Sequence, residues 1–302
     1  LFGPREASIR STGVGTTVVL HARSVLAGLE IDGSGGRFDT LDAAVLVQGD
    51  DAVVRDIRVV HSVFGILSHR ARRVRIVENH ITGGVADTLG MRGDAIRLWE
   101  THSSTIADNR VEDARDVVVW YSRKNVLRRN RVERSRYGTH FMYSHDNLVE
   151  DSRYANNEVG IFVMYSRNLE IRNNVLAGAA WAAGMGLGAK ESGNLRVVGN
   201  RFIGNTMGIF LDVSPLQLDD ANLFEGNELR LSDVGIAFHS SERGNTIRMN
   251  DFRDNRTQVD VENGRDAMAT TWMNNAFDDY RGYDMDGDGV GDVPYELRDL
   301  SG

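Results

Sequence analysis

The 302-residue chain contains no cysteine, which excludes disulfides and any thiolate ligand or nucleophile. Only three prolines occur, and apolar residues do not recur at helical spacing, so the apolar segments read as short strands joined by turns. No run of 18 apolar residues is present, so no membrane-spanning helix is expected. Basic residues are the minority, 35 against 43 acidic, for a net charge of −8, which argues against a nucleic-acid scaffold. The chain begins Leu1-Phe-Gly-Pro-Arg5 without a methionine or a basic-then-apolar leader, and it ends abruptly at Leu300-Ser-Gly302. A leader carrying the cellular address is therefore expected ahead of this sequence, and a further segment after it.

What the chain has in abundance is one repeated phrase: a small or acidic residue, a short apolar strand, and often a serine. It appears as Asp116–Ser122, Gly138–Ser144, Gly160–Ser166, Gly184–Gly188, Gly208–Ser214 and Gly235–Ser240, with an earlier copy from Asp94 to Trp99. The starts at Asp94, Asp116, Gly138, Gly160, Gly184, Gly208 and Gly235 are almost evenly spaced. A fixed period in this range marks a stacked solenoid, whose units bury their apolar faces only against one another. Asparagines repeat alongside, as Asn125/Asn130, Asn168/Asn174, Asn194/Asn200, Asn222/Asn227 and Asn245/Asn250. Asparagine tolerates left-handed backbone at sharp corners, and stacked copies can bond to one another. The pattern predicts an all-β, right-handed parallel β-helix of about ten coils of 22–27 residues over residues 1–270. Residues 271–302 then form a C-terminal cap in which Trp272 packs.

Strand side chains alternate between faces. Counting each phrase from its small residue as zero, positions one and three are apolar: Val117/Val119, Thr139/Phe141, Ile161/Val163, Met185/Leu187, Ile209/Leu211 and Ile236/Phe238. These are expected to fill the bore. Positions two and four then face outward: Ile96/Leu98, Val118/Trp120, His140/Met142, Phe162/Met164, Gly186/Gly188, Phe210/Asp212 and Ala237/His239. An outer face this rich in aromatic, thioether and imidazole groups is unusual for a solvated surface and marks an interaction face. Three readings stand side by side, one of them a flipped register in which these side chains fill the bore. His140, Met142 and Met164, with His145 just beyond the strand, are donors suited to Cu(I), Met164 lying one coil beyond Met142. Alternatively, the methionines form an adaptable contact surface. His239 is three phrases from Met164, roughly 14 Å along the axis, too far to share an ion.

The acidic segment Asp284-Met-Asp-Gly-Asp-Gly-Val-Gly-Asp292 places Asp284, Asp286, Asp288 and Asp292 at positions 1, 3, 5 and 9 of a calcium-type loop, with Gly289 at position 6. Tyr295 stands where an EF-hand has glutamate, so the expectation is a calcium loop without helices, or a plain polar turn. An enzymatic alternative places Asp94 and Asp116 one above the other as paired carboxylates, with Arg92, Arg97 and Arg115 available for an acidic sugar. A purely structural or carbohydrate-binding solenoid is the third class. Lys190-Glu191 and Arg265-Asp266 read as surface ion pairs. Trp181 sits on a loop that slightly enlarges one coil. His21, His61, His69, His80 and His102 show no ligand spacing.

The phrases Arg92–Trp99, Val118–Ser122, His140–Ser144, Gly160–Ser166 and Gly184–Glu191, continuing through Leu211–Pro215 and Phe277–Tyr280 to the aspartate-rich tail, together resemble the NosD family. The similarity covers about residues 60 to 297. It implies a non-enzymatic, periplasmic right-handed β-helix that works with the permease and ATPase of an ABC transporter. It also implies a part in assembling the copper–sulfur centre of nitrous oxide reductase, with a membrane-anchored copper chaperone as donor and the apo-enzyme as recipient. In that setting His140, Met142 and Met164 are expected to hold Cu(I) transiently. Trp120, Phe162 and Phe210, with Asp212 and His239 beside them, are expected to meet a partner.

Overall fold

The computed structural model describes residues 1–296 apart from 5, 85, 241–242 and 262–268. The expected right-handed parallel β-helix is the observed fold. Three parallel sheets of 12, 11 and 11 strands run the length of the rod, and each coil contributes one strand to each sheet. At the usual strand spacing, eleven strands span about 50 Å. The strand ladders continue through Thr271–Met273 and Ala276–Phe277, past residue 270. Trp272 packs edge-on against Phe238 near that end, with ring centroids 6.1 Å apart.

The bore is a single apolar column. Val117, Val119, Phe141, Ile161, Val163, Leu187, Ile209, Leu211, Ile236 and Phe238 all belong to it and are almost fully buried. Val118, His140 and Ala237 lie on the opposite side of the same strands and are not part of it.

Two copies of the phrase are out of phase with the expectation. Ile96 pairs with Val117, so the early copy starts at Ala95 and not at Asp94. Ile96 and Leu98 therefore line the bore, while Arg97 and Trp99 face outward. Likewise Leu187 pairs with Ile161 and Gly188 with Phe162, so the later copy starts at Gly186 and not at Gly184. The coil holding Trp181 is accordingly longer than expected, since the partner of Phe162 is Gly188 and not Gly186. Met185 leaves the bore, and Ala189 takes the expected place of an inward residue. Nearer the N-terminus, Val45 pairs with Ile66 and Ile66 with Ile96, so the second of those coils is much the longer.

The corners are held by buried side-chain ladders. Asn79, Asn109 and Asn130 form one run, and Asn174, Asn200, Asn227, Asn250 and Asn275 another, each Nδ2 donating to the next Oδ1 at 2.9–3.1 Å. Asn168 and Asn194 are not rungs. They stand one residue before the buried leucines Leu169 and Leu195 and have φ of 59° and 53°. Left-handed backbone belongs to the residue before the rung, as at Asp108, Arg129, Asn173 and Gly199, and not to the rung asparagines themselves. A second ladder runs through Thr101, Ser122, Ser144, Ser166, Ser192 and Ser214, each backbone N–H donating to the hydroxyl of the next. Paired rungs satisfy polar groups that would otherwise be buried without partners.

Candidate functional site

The outer face of the 11-stranded sheet carrying Tyr137–Met142 (chain range Val18–Leu20 to Thr257–Val261) is built in three rows. One row holds Val118, His140, Phe162, Gly188, Phe210 and Ala237, paired one to the next. A second holds Trp99, Trp120, Met142, Met164, Lys190, Asp212 and His239. The third holds Tyr137, Val159, Met185, Met207 and Val234. Between the first and third rows the register skips a residue, so both project on one side of the sheet. Long connections precede the Ile96–Trp99 and Met185–Lys190 strands, from Gly83 to Ala95 and from Gly178 to Gly184. The strands bearing Val118, His140 and Phe162 lie between these two in sheet order.

His140 lies in the middle of this face. Its imidazole is 6% exposed although it is outside the bore. Trp120 and Tyr137 meet it edge-on, with centroids at 5.5 and 5.0 Å, and Phe162 stacks on it at 6.0 Å. Burial pushes its pKa down to about 4, so the ring is neutral near pH 7. Nε2 lies 3.3 Å from the sulfur of Met164, one coil along, and Nδ1 is buried with no hydrogen-bond partner. Met142 pairs with Met164 in register, and both are half-buried. The structure therefore brings His140, Met142 and Met164 together. An uncharged imidazole nitrogen and two thioethers form a soft donor set that fits Cu(I) and poorly suits hard cations. When the ring proton is on Nδ1, the Nε2 lone pair faces the sulfur, an arrangement a cation would bridge.

His145 has a different environment. It lies past the Ser144 corner, and its Nδ1 accepts the backbone N–H of Arg167 at 3.1 Å. His102 accepts from Arg123 in the same manner. His61 and His80 are paired with Asp32 and Glu112.

Trp120 is held within the face. It packs against Trp99 at 5.9 Å, and the Arg97 guanidinium lies 4.9 Å from its ring. Phe162 and Phe210 flank Gly188. Lys190 pairs with Asp212 at 2.8 Å and not with its neighbour Glu191, because alternation points adjacent side chains apart. His239 stands 3.9 Å from Asp212. The Arg265-Asp266 pair lies outside the described residues. Trp181 is exposed, and its carbonyl accepts the Thr206 hydroxyl.

Asp94 and Asp116 do not stack, since Ala95 takes the place opposite Asp116. Both carboxylates are buried under arginines. Arg115 holds Asp94 at 2.8 and 2.9 Å, Arg97 reaches it at 3.4 Å, and Arg136 closes over Asp116. Burial raises the Asp94 pKa to about 6 against the pull of Arg115. Arg92 is turned away, donating to the carbonyls of Ala86 and Asp113.

In the acidic segment, Asp284, Asp286 and Asp292 each offer a carboxylate oxygen within 4.8 Å of the others, and all are exposed. Asp284 accepts from the backbone of Gly287 and Gly289, while Asp288 stands outside this group and accepts from Val290. Gly287 and Gly289 take φ of 76° and 84°, which suits glycine in so tight a turn.

Sequence reasoning misses Met185 and Met207 as members of this face. Aligning the copies on the serine ladder, through Ser166 and Ser192, moves Met185 to the place of Val159, and the register skip then turns it outward.

A family model described as periplasmic copper-binding protein (NosD) matches residues 75–282, more than half of the chain. The chain belongs to the NosD family. It is 26% identical to a Stutzerimonas stutzeri protein named "Probable ABC transporter binding protein NosD", over 97% of this chain and 70% of the relative. A Pseudomonas aeruginosa protein of the same name is 38% identical over 79 residues, which cover 26% of this chain and 18% of that relative. Among solved structures, the A-modules of the Azotobacter vinelandii mannuronan C-5 epimerases AlgE4 and AlgE6 are similar, with TM-scores of 0.68 and 0.62 at 13% and 14% identity. The alignments cover 91% of this NosD family chain in both cases, and 85% and 90% of the respective modules. At that identity the likeness is one of fold. No helix among the described residues is long and apolar enough to cross a membrane.

Proposed function

We propose that this NosD family protein is a periplasmic accessory factor, not an enzyme, that carries Cu(I) on its outer face. In this reading it receives copper from a membrane-anchored chaperone and serves the assembly of the copper–sulfur centre of nitrous oxide reductase, alongside an ABC transporter. The observation that carries the reading is the approach of His140 Nε2 to the Met164 sulfur at 3.3 Å inside an aromatic enclosure, with Met142 in register beside it. The family description as copper-binding and the relatives' name as ABC transporter binding proteins support it.

Cu(I) is cargo here. When bound it supplies the soft positive charge that the recipient centre needs. The chain's own part is to present neutral donors, exclude water with Trp120, Tyr137 and Phe162, and keep the ion on an accessible side of the rod. Few donors and a half-open setting favour release over permanent retention. Trp120 and Phe162, against His140, and Phe210 with Asp212 and His239 further along, are the surface a partner would meet.

A non-enzymatic role is supported by the state of the best carboxylate pair. Asp94 and Asp116 are each less than 2% exposed and covered by arginines, which keeps both carboxylates out of reach of a bound sugar. Asp284, Asp286 and Asp292 are proposed to hold Ca²⁺ in a structural role at the end of the rod.

The direct test is titration with Cu(I) under a chromophoric competitor. Changing His140, Met142 and Met164 together to alanine is expected to abolish tight binding. Unchanged affinity in the triple variant rejects the site.

A further inference from the structure

The soft donors of the outer face do not stop at Met164. In the next coil the row that carried Met142 and Met164 becomes charged, because Lys190 takes the following place and pairs with Asp212. An ammonium group repels a cation, so a Cu(I) path along that row ends there. In the same coil a methionine enters the third row. Met185 pairs in register with Met207 one coil further, and both are half-buried. Val159 before them and Val234 after them offer no donor.

Gly188 connects the two sets. It lies between Phe162 and Phe210 in the row of His140, where every described neighbour has a side chain. A Cβ built on Gly188 would stand 3.0 Å from the Met185 sulfur and 2.8 Å from the Phe162 ring. The missing side chain is thus a notch, and the Met185 thioether occupies it. The sulfur that starts in the third row therefore reaches the middle of the face, against the same phenylalanine that stacks on His140.

We propose that Met185 and Met207 form a second Cu(I) station, reached from the first across the notch at Gly188. The inference rests on the reading of this face as a copper-carrying surface. Two thioethers without an imidazole make a shallower site than the one at His140, suited to passing an ion onward and not to keeping it.

The experiment measures Cu(I) stoichiometry and affinity of the whole chain against graded competitors, with Ag(I) as a redox-inert check. Three variants are compared with the unaltered protein: Met185→Leu with Met207→Leu; Gly188→Ala; and His140→Ala with Met142→Leu and Met164→Leu. Leucine keeps the volume of methionine, and circular dichroism verifies the fold. The unaltered chain is expected to bind a tight and a weak equivalent. The Met185/Met207 variant should lose only the weak one, and Gly188→Ala, whose Cβ would press on the Met185 sulfur, should weaken that one by about tenfold. If the Met185/Met207 variant still binds both ions, the second station is overturned while the first stands. Loss of neither ion in the His140 variant instead overturns the first reading and leaves the second to be judged by its own variant. Absence of any Cu(I) binding by the unaltered chain overturns both.

Discussion

Thr139 and Tyr154 meet inside the bore, with Oγ1 3.0 Å from the phenol oxygen. This polar contact in an apolar column fixes the phase of the strand that carries His140 and Met142: with Thr139 turned inward, its neighbour must turn out. Tyr154 is fully buried, and burial raises its pKa to about 12, so the pair is a neutral hydrogen bond at any physiological pH.

Thr139→Val leaves the phenol of Tyr154 with Ser152 beside it but without its bore partner, and is expected to lower stability by roughly 0.5–1.5 kcal/mol. Adding Tyr154→Phe removes the under-paired hydroxyl and should recover part of that loss. Urea denaturation of both singles and the double variant gives the coupling. Additive losses would mean that the contact does not hold the strand.

The asparagine ladder makes a second prediction. Asn200 donates to the carbonyl of Ile171 at 2.8 Å and to Asn227, and it accepts the backbone N–H of Asn174. Asn200→Ala leaves several buried groups unpaired and should cost roughly 2–4 kcal/mol by chemical denaturation. Alanine at Asn194, a corner position outside the ladder, should cost much less.

The buried carboxylate of Asp94 predicts a pH effect of defined sign. Its pKa is raised by burial from 3.8 to about 6, so the folded state holds a proton that the unfolded chain releases. The resulting stability is fully present below about pH 4 and is lost as pH rises through 6, by on the order of 3 kcal/mol. Asp94→Asn should flatten that part of the stability curve relative to the unaltered protein. If the two curves run parallel between pH 4 and 7, the arginines hold Asp94 ionised throughout.

At the C-terminal end, Tyr295 stacks on Phe277 at 3.9 Å, and Phe277 on Phe252 at 4.8 Å, so the segment after the acidic turn covers the last coil. Ca²⁺ held by Asp284, Asp286 and Asp292 would fix that cover. Chelation with EGTA should lower the thermal midpoint by a few degrees, on the order of a 1 kcal/mol effect. Asp284→Asn with Asp286→Asn should make the midpoint insensitive to chelator. A midpoint indifferent to EGTA in the unaltered chain would mark the turn as metal-free.

The period, the coil and the alternation at 117–119, 139–141 and 161–163 are legible because stacking forces each copy into the same register. The copies at Asp94 and Gly184 defeat a reading that takes a small or acidic residue as the phase marker. Small residues are tolerated at several corner positions, whereas the hydroxyl of Thr101 or Ser192 is required by its ladder and marks the phase without ambiguity. The donors His140, Met142 and Met164 can be read from alternation alone. The enclosure of His140 cannot, because Tyr137 reaches it only through the register skip next to Gly138, and Phe162 only through stacking between coils. The Gly188 notch is hidden for the same reason, since it exists only relative to Phe162 one coil away.

The most direct measurement is a Cu(I)-loaded crystal examined at the copper absorption edge. An anomalous peak is expected on the outer face, in contact with His140 Nε2 and the Met164 sulfur, with Met142 beside it. A protein that crystallises with its copper elsewhere, or that shows no peak on this face under saturating Cu(I), would contradict it.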